Sequence, residues 1–164
     1  MTIPELFLLE FDEEMPSTRR ILECVPEASF TWKPHERSMT LGRLSSHIAE
    51  LPARCATIIT TEQFIRQPGT PPWAASSTAE LLAKFDTTSS EARAALTTLR
   101  DDRLEAIWSI KMGDRTIASL PRAMALRRVF MDHLIHHRAQ LGVFLRLLDV
   151  PIPGMFGPSA DDQR

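Results

Sequence analysis

Five histidines, His35, His47, His133, His136 and His137, are the residues of this chain best suited to chemistry. Imidazole titrates near neutrality and is a common metal ligand. His133 and His137 are spaced i,i+4, so on a helix both project from one face and can hold one ion. A third imidazole from a facing helix would complete a three-nitrogen set and leave a position for water or substrate. That is the pattern of a catalytic metal site rather than a closed structural one. The ordinary alternative is a pair of core histidines bonded to carbonyls or carboxylates, because a buried ring nitrogen needs a partner.

The elements that must position these rings are helical. Apolar residues at steps of three or four predict helices over about 3–25, 41–64, from Ser77 through Leu99, and 120–148. Pro16 and Pro52 should kink or split the first two. Ser77 and Glu80 have capping-box spacing, and Ser119 is placed to cap the last helix, with Pro121 tolerable in its first turn. At about 100° per residue, Leu126, Phe130, His133, Leu134, Leu141, Phe144 and Leu148 fall within about 60° of His137. His136 lies outside that arc, and Ile135 sits opposite it. On the second helix Leu41, Leu44, Ile48, Leu51, Cys55 and Ile58 define a similar stripe, with His47 at one margin. Residues 108–117 alternate around Gly113-Asp114 and suit a short hairpin or an exposed loop. The tail from about residue 150 is proline- and glycine-rich and should lie over the body or fray. The expected fold is all-α: an antiparallel four-helix bundle in a single domain, 1–164, with an optional hairpin before the last helix.

Composition narrows the class of function. The 164 residues carry 19 lysines and arginines against 21 acids, a formal charge of −2, with no basic run to attract nucleic acid. No apolar stretch approaches the roughly 18 residues of a membrane helix. Acids near the N-terminus argue against a secretory signal, and two cysteines, Cys24 and Cys55, fit a reducing compartment. The expectation is a cytoplasmic protein. Either thiol is a ligand in principle, but Cys55 sits on an apolar stripe and suits a small core residue.

Three segments resemble the DinB family of helical-bundle metalloproteins. WKPHERSMTLGRLSSHIAE, residues 32–50, is similar to the family's entry into its second helix and first ligand histidine. DHLIHHRAQL, residues 132–141, resembles its H-x-x-H-H-R-G-Q motif, and VPIPGMFGPSADD its closing segment. Ala139 departs from the usual glycine and Phe156 from the usual tyrosine. The resemblance implies a divalent ion held by His47, His133 and His137, frequently in a homodimer. Zinc or nickel is the expected metal, since imidazole suits both and calcium and magnesium prefer oxygen. Some relatives look like transferases or isomerases that use a small-molecule thiol.

Two functions are therefore carried forward. One is a metal-dependent enzyme, a transferase or hydrolase, acting on a small-molecule substrate, a thiol among the options, through an open three-histidine site. The other is a non-catalytic stress or interaction protein in which an ion, if bound, only links helices. His35 is expected in an exposed loop and His136 on a flank, both outside the site. Asp132, Glu50, Arg138 and Gln140 neighbour the ligands and are candidates to orient them. No residue is identified as a general acid or base, and the chain has no tyrosine.

Overall fold

The structure is a computed structural model and describes residues 1–162. Helix α1 spans Ile3–Glu23 and starts on a reciprocal cap: the Thr2 hydroxyl accepts from Glu5 N, and the Glu5 carboxylate accepts from Thr2 N at 2.7 Å. The helix runs through Pro16 without splitting. Pro16 is exposed, so water can take the carbonyl that its missing N–H leaves free.

The expected helix over 41–64 is two helices and a strand. Helix α2 (Leu41–Glu50) begins at the Thr40 cap, and α3 (Pro52–Thr60) restarts at Pro52, where proline is tolerated. What ends α3 is a long-range contact. The wholly buried Arg122 guanidinium donates to the carbonyls of Ile58, Ile59 (3.3 Å) and Thr61 (2.9 Å), satisfying the last turn of that helix. The chain then forms strand β1 (Gln63–Arg66). Helix α4 (Thr78–Leu96) starts at the Ser77 cap, whose side chain accepts from Glu80 N at 3.1 Å. Glu80 reaches back to Ser76 instead of closing a box on Ser77.

The all-α expectation is overturned by a three-stranded mixed sheet of order β1-β2-β3. Strands β2 (Ile107–Met112) and β3 (Arg115–Pro121) pair antiparallel across Gly113, whose φ of +55° closes the tight turn. This is the hairpin reading of 108–117, longer at both ends. Strand β1 then adds in parallel to β2, with Gln63 opposite Ser109 and Arg66 opposite Met112.

The last helical limb starts later than expected, because Ser119 belongs to β3. It comprises α5 (Arg122–Ala125), a π-helical segment (Leu126–Met131) and α6 (Asp132–Leu147). Helix α6 closes with Asp149 at φ 56°, Val150 N donating to the Leu145 carbonyl and Asp149 N to that of Arg146. The tail is tied down rather than frayed: Asp161 accepts from Arg146 at 2.6 Å and from Ile152 N at 3.1 Å, which holds its carboxyl down at about 2.

Helix α4 packs along α1, α2 and α3, while α6 packs on α1 and α2. The core between them is largely apolar, with Leu22, Leu41, Leu44, Ile48, Leu81, Phe130, Leu134 and Leu141 fully buried. The sheet lies at one end of this core and anchors to it through the buried Trp108.

Candidate metal centre

Helix α2 is set by the chain just before it. Leu41 N donates to the Trp32 carbonyl at 2.7 Å and Gly42 N to that of Phe30 at 2.9 Å. A Cβ at Gly42 would stand 3.0 Å from Phe30, so glycine favours this close approach. From this fixed start His47 falls two turns later on the side that faces α6.

There it meets His133 and His137. The Nε2 atom of His133 lies 3.2 Å from that of His47 and 2.8 Å from that of His137. One ligand atom from each ring falls within 4.8 Å of the other two. Two nitrogens bound tetrahedrally to one zinc-sized ion stand about 3.3 Å apart, so the spacing fits such an ion. All three rings are half-buried.

Their hydrogen bonds fix which nitrogen is free. Gln140 Oε1 lies 2.7 Å from His137 Nδ1, and because a carbonyl oxygen can only accept, Nδ1 carries the proton and Nε2 the lone pair. His133 is held through a hydrogen bond to the backbone of Val129. Two lone pairs then face each other at 2.8 Å, an arrangement that a cation between them relieves. The donor set and its spacing therefore fit a divalent transition metal.

The electrostatics point the same way. Burial first, then the neighbouring His137 and His133, and then Arg43 and Arg54, lower the pKa of His47 from 6.5 to about 3. Burial also lowers His133 and His137, partly opposed by the Val129 and Gln140 hydrogen bonds respectively. All three rings are thus neutral at physiological pH, the state in which imidazole binds a metal.

The other candidates fall elsewhere. His35 is exposed in its loop, where its Nδ1 accepts from Arg37 N at 3.1 Å. His136 is exposed on the flank of α6, its ring centroid 4.9 Å from that of His137. Asp132 pairs with Arg127 at 3.1 Å and Glu50 with Arg43 at 3.4 Å, so neither orients a ligand. Arg138 is buried and turned away from the site, paired with Glu14 at 2.5 Å and donating to Thr18 at 3.0 Å. Cys55 is buried with its thiol pushed up by desolvation, and Cys24 donates to the Arg20 carbonyl at 3.4 Å. Neither sulfur joins the cluster. Ala139 is exposed, so its methyl group enters no helix contact, and Phe156 is largely exposed. Ile135, expected opposite the core, is only half-exposed and lines a groove beneath the tail.

A cleft of about 420 Å³ reaches His47 and His133 from the sheet side. Its walls are residues that helical periodicity gave no reason to single out: Arg54 on α3, Phe64 and Arg66 on β1, and Trp108, Ile110 and Lys111 on β2. A ring opening toward such a cleft leaves room for a further ligand.

A family model described as the DinB family matches residues 1–163 of the chain. The fold is similar to the crystal structure of a DinB-like protein from Bacillus cereus ATCC 10987, with a TM-score of 0.72, 21% identity, and coverage of 93% of this chain and 97% of that one. It is also similar to a DinB-like protein from Bacillus subtilis, with a TM-score of 0.69, 18% identity, and coverage of 92% and 97%. No curated protein sequence matches the chain.

Proposed function

The chain belongs to the DinB family, and from that premise we propose that it is a metal-dependent enzyme built around His47, His133 and His137. The observation that carries this reading is the convergence of their three Nε2 atoms, two of the contacts being 3.2 and 2.8 Å. An ion held by these three imidazoles would supply Lewis acidity there. The protein does the rest. Gln140 and the Val129 backbone hold two rings in one tautomer, and burial keeps the three imidazoles unprotonated and ready to bind.

The non-catalytic alternative calls for a closed site, with the ion only joining α2 to α6. The cleft that reaches His47 and His133 favours the open reading. Zinc or nickel is the metal we propose, and transfer to or from a small-molecule thiol is the reaction. A thiolate suits a site of three neutral ligands and a divalent ion, whose charge of about +2 is otherwise uncompensated. We further place the protein in the cytoplasm as a homodimer, in keeping with the unpaired Cys24 and Cys55 and with the resemblance to relatives that dimerise. No helix among the described residues is long and apolar enough to cross a membrane.

The test is metal analysis of protein purified without a histidine tag. One transition-metal ion per chain is expected, lost in His137→Ala and retained in His136→Ala. A metal-free parent, or a His137→Ala variant with full occupancy, overturns the reading. A screen of small-molecule thiols against electrophiles then follows the loaded protein, and sedimentation equilibrium checks the dimer.

A further inference from the structure

The cleft beside the triad carries one sign of charge. Arg54, Arg66, Lys111 and Arg128 line it, and no aspartate or glutamate does. The chain as a whole is slightly acidic, so this concentration is local. Among the described residues none of the four side chains forms an ion pair, whereas Arg19, Arg93, Arg127, Arg138 and Arg146 all do.

Arg54 is the most constrained of the four. Its guanidinium lies 3.5 Å from the centroid of the Phe64 ring, a stacked arrangement that leaves the N–H edge free for a planar or tetrahedral oxyanion. It is half-buried, so its charge is poorly screened and its partner, when present, is poorly hydrated. Trp108 lines the same cleft, and its indole N–H is buried with no acceptor among the described residues. The remaining wall, with Ile110, Ile117 and Val129, is apolar. A volume of about 420 Å³ accommodates a small organic molecule.

We propose that this cleft binds a small organic anion, an apolar body bearing a carboxylate or phosphate, and that Arg54 receives the oxyanion while Arg66, Lys111 and Arg128 draw it in. The inference deepens the open-site reading and rests on it for the identity of this anion as substrate. Arg54 on α3, held by its stacking on Phe64 of β1, is then a specificity-determining residue.

Titration of the metal-free and the metal-loaded protein with benzoate, phenyl phosphate and neutral benzamide tests it, read by calorimetry and by the Trp108 indole N–H resonance. One or both anions should bind about tenfold or more tightly than benzamide, with or without metal, and shift that resonance. Their order tells carboxylate from phosphate. Arg54→Gln should weaken anion binding about tenfold while leaving benzamide binding and metal stoichiometry unchanged, and Arg54→Lys should restore part of it. Arg128→Gln, at an exposed position, should cost about two- to threefold. Benzamide binding as tightly as both anions, or Arg54→Gln binding them undiminished, overturns the proposal. If that happens in protein that holds its metal, the triad reading stands and only this inference falls. Anion preference in protein that takes up no metal overturns the triad reading instead.

Discussion

The two walls of the cleft are built on different physical principles. On the helical side, His47, His133 and His137 project from elements whose inner faces are wholly buried, with Leu44, Ile48, Leu134 and Leu141 behind them. Two of the three rings are further held by hydrogen bonds to Gln140 and the Val129 backbone. The opposite wall is a thin sheet whose Ile65 and Ile107 remain exposed, and which touches the core chiefly through Trp108. The first wall presents neutral nitrogens at fixed separations. The second presents the cations Arg66 and Lys111 on long side chains. Close packing suits the side that must keep ligand geometry, because a core resists small displacements. A thin, weakly anchored wall suits the side that meets substrates of varied shape.

The largest effect should come from the joint between the walls. Arg122→Met removes the donor that satisfies three carbonyls at the end of α3, leaving the buried carbonyl of Ile58 and the partly buried ones of Ile59 and Thr61 without it. A loss of about 3 kcal/mol is expected in urea unfolding, from the desolvation of those groups. If stability is unchanged, the two walls are not coupled through this residue. Next in size is Gln140→Leu, which frees the His137 ring but leaves all three ligands. Metal affinity should fall about 10- to 100-fold in competition with a chelator, with little change in unfolding free energy. An unaltered affinity would mean that packing alone orients the ring. Smaller still is Gly113→Ala in the hairpin turn, where φ is +55°. About 1 kcal/mol should be lost, and hydrogen exchange should quicken in the sheet and not in α2 or α6.

The helical wall also has a pH signature. The folded chain holds His47 neutral down to about pH 3, whereas in the unfolded chain a histidine takes up its proton near 6.5. Between those values the unfolded state binds more protons. Stability of the metal-free protein should therefore decline as pH falls from about 6.5 toward 3, and His47→Gln should flatten the decline. A parent and variant with parallel profiles would remove His47 as its source.

The same contrast explains what could be read from the sequence. The grouping of His133 with His137 and the exclusion of His136 follow from local helical spacing, which depends on no distant residue. The Ser77 cap is similarly local. Gln140 was legible as a neighbour, and its i,i+3 relation to His137 is the signal that singles it out from Arg138. Arg138 was misleading because its partner, Glu14, lies on another helix. The sheet was only half legible. Gly113-Asp114 marks a turn, but β1 has four residues, too few for a period, and its Phe64 extends a helical pattern equally well. What makes 63–66 a strand is pairing with residues 109–112 and the Arg122 stop on α3, both long-range. Arg54 carries no local signal for a related reason, since its stacking on Phe64 exists only once β1 has formed.

The π-helical segment at Leu126–Met131 has a genetic consequence. There Asp132 N donates to the carbonyl of Arg127, five residues back instead of four, so this stretch holds one residue more than an α-helix of the same path. It behaves as an in-frame insertion retained within a helix. Arg122 on its N-terminal side is locked to α3, and the histidine pair on its C-terminal side must meet His47. Deleting a single codon from this stretch would restore a regular helix over the same path and keep the flanks in phase, whereas the same deletion within regular α6, between His133 and His137, would turn the later residues by about 100° against the earlier ones. The π segment is thus the one stretch of this limb where the chain could lose a residue and keep the register between its two walls.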